Sequence, residues 1–214
     1  MSLPSLSNLQ EPIVHSTSIG FKALDVDPYE YLSGQSLDTI DSSDFGHCSL
    51  LIPGANGFGN LFENICDRSG GRGGVFLLPG TPFKAFKIVQ SVFRKRSPCK
   101  SINIIAHSNG NVNVVPFLVA SLQAVAGRIG RCYPIPIKVC RLDPIGIPKS
   151  IIIGVEQVVD IGSNKPDSRD PRDRAALRFL RPDFRARKGV GHSDLLNDRE
   201  ILDRLATPPY NFLF

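Results

Sequence analysis

Apolar positions along this chain fall into short bursts separated by turn-forming residues, and the bursts alternate between strand-like and helix-like spacing. His47 to Pro53 is a compact apolar run that reads as a buried strand, ending in the glycine-rich turn Gly54-Ala-Asn-Gly57-Phe-Gly59. A helix is expected from about Asn60 to Asp67. Gly73 to Leu78 gives a second strand, closed by Pro79-Gly80, and Phe83 to Lys95 sets Phe83, Phe86, Val89 and Phe93 near helical spacing. Ile102, Ile104 and Ile105 mark a third strand, after which Val112 to Ala126 is helix-compatible. Two more strands are expected. One runs from Ile135 to Leu142 and ends in Asp143-Pro-Ile-Gly146; the other runs from Val155 to Ile161 and ends in Gly162-Ser-Asn-Lys-Pro-Asp167. Arg185 to Val190 reads as a last short strand and Asp198 to Leu205 as a closing helix.

Strands alternating with helices at this spacing predict an α/β fold: a mostly parallel sheet with helices on both faces. The 214 residues suit one such domain, 46–214, behind a partly irregular arm, 1–45, that is rich in Ser, Pro and Asp and carries one early strand around Ser18 to Leu24.

Composition narrows the class. Apolar residues at 42% and charged residues at 21% are ordinary for a soluble globular protein, and no stretch reaches the roughly 18 to 20 apolar residues that span a bilayer. An integral membrane protein is therefore not expected. Met1 to Glu11 lacks a basic start and an apolar core, so no secretory signal is expected either. Cys48, Cys66, Cys99, Cys132 and Cys140 are odd in number and widely spaced, with neither zinc-binding spacing nor a disulfide framework. They read as reduced packing residues of a cytoplasmic protein that needs no metal or cofactor.

The net charge of +5 is concentrated in one segment. Between Arg169 and Lys188 stand Arg169, Arg172, Arg174, Arg178, Arg181, Arg185, Arg187 and Lys188 against Asp170, Asp173 and Asp183, which equals the imbalance of the whole chain. Residues 168–188 read as a helical cap between the last two strands. Such charge suits an anionic substrate or surface, but the plainer reading is a solvated helix whose three aspartates pair with neighbouring arginines. With only Phe179 and Phe184 as rings in the segment, nucleic acid is not an expected partner.

The chemistry centres on Ser101-Ile-Asn-Ile-Ile-Ala-His-Ser108-Asn-Gly110. A buried strand drives into a turn of small residues and leaves as a helix, which is the construction of a nucleophile elbow. Ala106 and Gly110 supply the small side chains the strained turn requires, with alanine standing where glycine is more usual. The alternative role for Ser108 is to cap the following helix through its hydroxyl. A serine hydroxyl needs an imidazole to take its proton, and His192 is the one histidine late enough in the chain. His107 sits beside the nucleophile, where an elbow is expected to turn its side chain away from the site, so it reads as structural; His15 and His47 read as surface or packing residues.

In parallel sheets reactive groups gather beyond the carboxyl ends of the strands, which selects Asn56, Ser108, Asp143, Asp167 and His192. With the order Ser, Asp, His, the chain resembles the α/β-hydrolase fold, lipase/esterase type, over about His47 to Leu205. The resemblance rests on Ala-His-Ser108-Asn-Gly, Pro53-Gly-Ala-Asn-Gly57, Arg141-Leu-Asp143-Pro-Ile-Gly and Gly-Val-Gly-His192-Ser-Asp. It implies a serine hydrolase of carboxylic esters, lipid esters included, with Ser108 as nucleophile, His192 as base and an acid to orient the histidine. Asp143 matches the acid segment of pancreatic-type lipases and is preferred; Asp167, after the next strand, is the alternative. Oxyanion donors would be the backbone amides of Asn109 and of Asn56 or its neighbour Ala55.

Two other readings compete. The Gly54 to Gly59 loop is similar to the dinucleotide loop of short-chain dehydrogenases, which would make this an NAD(P)-binding protein. Against it, the third glycine falls one position early, no acid or base follows the next strand, and the chain has no Tyr-x-x-x-Lys pair. The other reading is a non-catalytic binding protein on a hydrolase scaffold, against which stand the intact Ser108 and His192.

Overall fold

A computed structural model describes residues 14–16, 22–25, 47–52, 54, 74–77, 101–128, 136–146, 148–210 and 212. The apolar bursts form strands. They are β1 (Val14–Ser16), β2 (Lys22–Asp25), β3 (His47–Ile52), β4 (Gly74–Leu77), β5 (Ser101–His107), β6 (Ile137–Leu142), β7 (Gln157–Gly162) and β8 (Phe184–Arg185). They join one sheet in the order β1-β2-β4-β3-β5-β6-β7-β8, in which only the β1–β2 pairing is antiparallel. This is an α/β chain with a mostly parallel sheet, as the alternation of elements implies. Two short strands lie within the N-terminal arm, where one was expected.

Residues 102–107 of β5 are all buried, as befits a central parallel strand covered on both sides. Four α-helices are described: α1 (Asn109–Asn113), α2 (Val115–Arg128), α3 (Pro171–Phe179) and α4 (Arg199–Ala206). The stretch expected as one helix over Val112 to Ala126 starts earlier and breaks at Val114. Pro116 explains the break, since it has no N–H to continue the ladder of α1. Val115, Leu118, Val119 and Leu122 then recur at i, i+3, i+4 and i+7 and are all buried. The helices expected over Asn60 to Asp67 and Phe83 to Lys95 lie outside the described residues.

Helix α4 shows how the carboxyl-terminal part of the chain closes on the sheet. Asp198 caps it by accepting from the amides of Glu200 and Ile201. Its apolar face, Ile201, Leu202 and Leu205, joins Phe212 in a cluster with Leu51, Ile105, Cys140, Leu142, Val159 and Ile161 of the sheet. Each such side chain contributes about 1.5–3 kcal/mol on burial. On its outer side Arg204 pairs with Glu200 and lies over the Phe184 ring, 3.6 Å from its centroid. The last strand is β8, two residues long and earlier than Arg185 to Val190, and the chain then runs irregularly to His192. No described helix is long and apolar enough to cross a membrane.

Candidate active site

Strand β5 ends at His107 and α1 begins at Asn109, so Ser108 occupies the turn between them with φ 49° and ψ −124°. Among the described residues only two outside glycine have positive φ, Ser108 and Asp143 (44°), and both are candidates for the same site. Such backbone costs on the order of 1–3 kcal/mol and persists where surrounding structure imposes it. Here the Ser108 amide donates to the carbonyl of Leu142 (3.0 Å), and the Asn111 side chain donates to that same carbonyl (3.0 Å). The elbow is thereby tied to the residue preceding Asp143. The Ser108 side chain makes no capping hydrogen bond, so the capping role considered from sequence does not hold.

Gly54, just beyond β3, sits directly against this turn. A Cβ there would stand 2.9 Å from the Ser108 Cβ and 3.0 Å from Nδ1 of His107. Its glycine identity is a requirement of close approach to the serine.

Asp143 follows β6 and is fully buried. Its amide donates to Ile161 (2.8 Å) and its Oδ1 accepts from the Ser163 amide (2.7 Å), so the carboxylate is fixed between the ends of β6 and β7. Its other oxygen, Oδ2, accepts from Nδ1 of His192 at 3.0 Å. The bond to the carboxylate places the proton on Nδ1 and leaves Nε2 as the basic nitrogen. Nε2 is buried and has no hydrogen-bond partner among the described residues. Asp167, the alternative acid, is exposed in the turn after β7.

The loop bearing His192 is built from backbone exchanges with the segment after β7. Gly189 donates to the carbonyl of Asn164 (2.7 Å), and Asn164 donates to that of Val190 (2.8 Å). The His192 amide donates to Oδ1 of Asp173, a buried residue in the first turn of α3. Asp173 was expected on a solvated face, paired with arginines; instead it turns inward to hold this loop. Asp170 does pair with Arg172 (2.6 Å), whose guanidinium holds its carboxyl down to about 2, while Asp183 takes Lys149 and the Asp160 amide. The basic segment is thus a capped helix with one carboxylate reaching the site.

His107 departs from expectation in its orientation. Its ring does not turn away but lies against that of His192, with centroids 4.5 Å apart, and its Nε2 meets the His192 carbonyl at 3.0 Å. The loop carrying His192 folds over the end of β5, so the two imidazoles share one buried space. Burial, followed by the charge of His192, pulls the pKa of His107 down to about 4.

Asn109 is exposed and opens α1, where the first amides have no acceptor inside the helix. Asn56 lies outside the described residues. Cys140 is no rival nucleophile, because it is fully buried and burial pushes its thiol well up. No group of three or more His, Cys, Asp or Glu among the described residues is arranged to hold a metal ion. A separate cleft of about 430 Å³ is lined by Pro144, Ile145, Phe179, Leu180 and Arg181 among others, and not by Ser108, Asp143 or His192.

Sequence reasoning did not single out Asn111, Ser163 or Asp173 as parts of the site. Asn111 had a local signal, as a polar residue in the buried first turn after the elbow; the other two act through contacts across distant segments. No family model, no curated protein and no solved structure matches the chain.

Proposed function

We propose that this protein is a serine hydrolase of the α/β-hydrolase type that cleaves carboxylic esters through an acyl-enzyme on Ser108. The observation that carries the reading is His192, bonded through Nδ1 to the buried carboxylate of Asp143 and left unpartnered at Nε2, with its ring against the residue that precedes Ser108. The strained turn at Ser108 and the chain order Ser, Asp, His agree with it. Gly54 favours this reading over a dinucleotide loop, because its missing side chain makes room for the serine rather than for a pyrophosphate.

In this mechanism Ser108 Oγ bonds to the ester carbonyl carbon while its proton passes to Nε2 of His192. Asp143 holds the ring in the tautomer that can accept and stabilises the cation that forms. The developing oxyanion takes the amide of Asn109 at the start of α1. Collapse breaks the carbon–alkoxy bond, and His192 returns the proton to the leaving alcohol. Water, deprotonated by the same nitrogen, then releases the acid and restores Ser108. The exposed Arg169, Arg174 and Arg178 suit an anionic substrate or surface.

Labelling with a fluorophosphonate probe tests the reading. Wild type labels, and Ser108→Ala and His192→Ala do not. A folded wild type that resists the probe removes this function.

A further inference from the structure

The backbone of His192 is held from both sides. On one side Asp173 of α3 accepts from its amide; on the other, Nε2 of His107 at the end of β5 lies 3.0 Å from its carbonyl. A carbonyl oxygen can only accept, so Nε2 of His107 must carry a proton. His107 and Asp173 are 5% and 3% exposed, so neither bond competes with bulk water. We infer that His107 and Asp173 form a clamp on the peptide groups of His192 and are positioning residues for the base, with His107 fixed as the Nε2–H tautomer.

This inference rests on the hydrolase reading for its functional meaning, but the geometry makes demands of its own. The two touching imidazoles take opposite tautomers: His192 protonated at Nδ1 toward Asp143, His107 protonated at Nε2 toward the His192 carbonyl. Burial keeps the His107 ring neutral, so its Nδ1 is an unprotonated nitrogen facing Gly54. Asp143 fixes the direction of the His192 ring, and it is the clamp that fixes where the Cα of that ring stands. Without the His107 donor, a buried carbonyl loses its partner and the loop can shift relative to Ser108. A displacement near 1 Å is enough to lower a rate on the order of 10- to 100-fold.

The test has two arms on the full chain. In the first, nitrogen-15 NMR of the wild-type imidazoles near neutral pH reads the tautomers directly. His107 with Nε2 protonated supports the clamp; His107 with Nδ1 protonated overturns it, whatever the activity. In the second, fluorophosphonate labelling and hydrolysis of p-nitrophenyl acetate compare wild type with His107→Leu, which fills the space without a donor, and His107→Gln, which carries an N–H at similar reach. The expected result is a fall on the order of 10- to 100-fold in labelling rate and kcat for His107→Leu, with little change in KM. His107→Gln recovers much of that loss. Asp173→Val falls in the same way, and Asp173→Asn, which keeps an acceptor, is rescued. A folded His107→Leu that labels like wild type, or a His107→Gln as impaired as His107→Leu, overturns the assignment. A wild type silent toward the probe fails the hydrolase reading instead, and the tautomers still judge the clamp.

Discussion

His192 and Asp143, 49 positions apart in the chain, meet through a 3.0 Å hydrogen bond between Nδ1 and Oδ2 in a space closed to solvent. The carboxylate spends its other oxygen on the Ser163 amide, so it arrives at the imidazole already oriented. An acid held in this way sets both the tautomer and the direction of the ring, and Asp167, exposed in its turn, does neither.

The two aspartates should therefore separate sharply. Asp143→Asn keeps the shape but offers an amide in place of the carboxylate, and ester hydrolysis is expected to fall on the order of 10³- to 10⁴-fold. Asp167→Asn should leave the rate where it was. Steady-state kinetics on one activated ester decides it, and a large loss in Asp167→Asn would exchange their roles.

Gly54→Ala tests how tightly the β3 loop fits the elbow. The new methyl would meet the Cβ of Ser108 at 2.9 Å and the His107 carbonyl at 3.3 Å, atoms that cannot swing aside as a side-chain tip could. A stability loss of about 1–3 kcal/mol is expected, with a slower reaction of Ser108 toward the probe. Urea unfolding and labelling rates measured on the same preparation check both. Unchanged values would mean that the loop has room to spare.

The buried pair of Arg141 and Asp160, bonded at 2.6 and 2.7 Å, sits between β6 and β7. Arg141→Met strands an uncompensated carboxylate and should cost about 3–5 kcal/mol, whereas the double variant Arg141→Met, Asp160→Leu should regain most of that loss. Denaturant unfolding of the two proteins makes the comparison. Equal losses would show that the arginine matters through its other contacts.

His107 makes folding sensitive to acid. Its pKa is near 4 in the folded protein against 6.5 unfolded, so between those values the unfolded chain binds a proton that the native state refuses. Stability is intact above pH 6.5 and declines as pH falls toward 4, by up to about 3 kcal/mol from this group. His107→Gln removes the dependence. The difference between wild type and variant in unfolding free energy, followed across that window, should change in this direction; a constant difference would show that the ring titrates normally.

Much of the fold was legible from local pattern. The short run Ile102, Ile104 and Ile105, bounded by turn residues, suits a strand buried on both faces, which β5 is, and small residues around Ser108 mark a sharp strand-to-helix turn. Helix limits were less legible at Pro116, where one missing N–H divides α1 from α2. Ser108 and Asp143 could be named because residues at the carboxyl ends of parallel strands converge in space, whereas His192, which lies in an irregular loop well past β8, could be named only from its late place in the chain.

Alternation, turn chemistry and chain order are properties of neighbours along the chain, and by themselves they determined the α/β architecture and a short set of candidate residues. The tertiary structure decided which of them touch. It brought Asp143 rather than Asp167 to the imidazole, set His107 against His192 across 85 positions, turned Asp173 inward from a basic helix and paired Arg141 with Asp160. Each of these depends on where separate loops close over the strand ends, and that distance is fixed by packing of the whole sheet, which no local pattern carries.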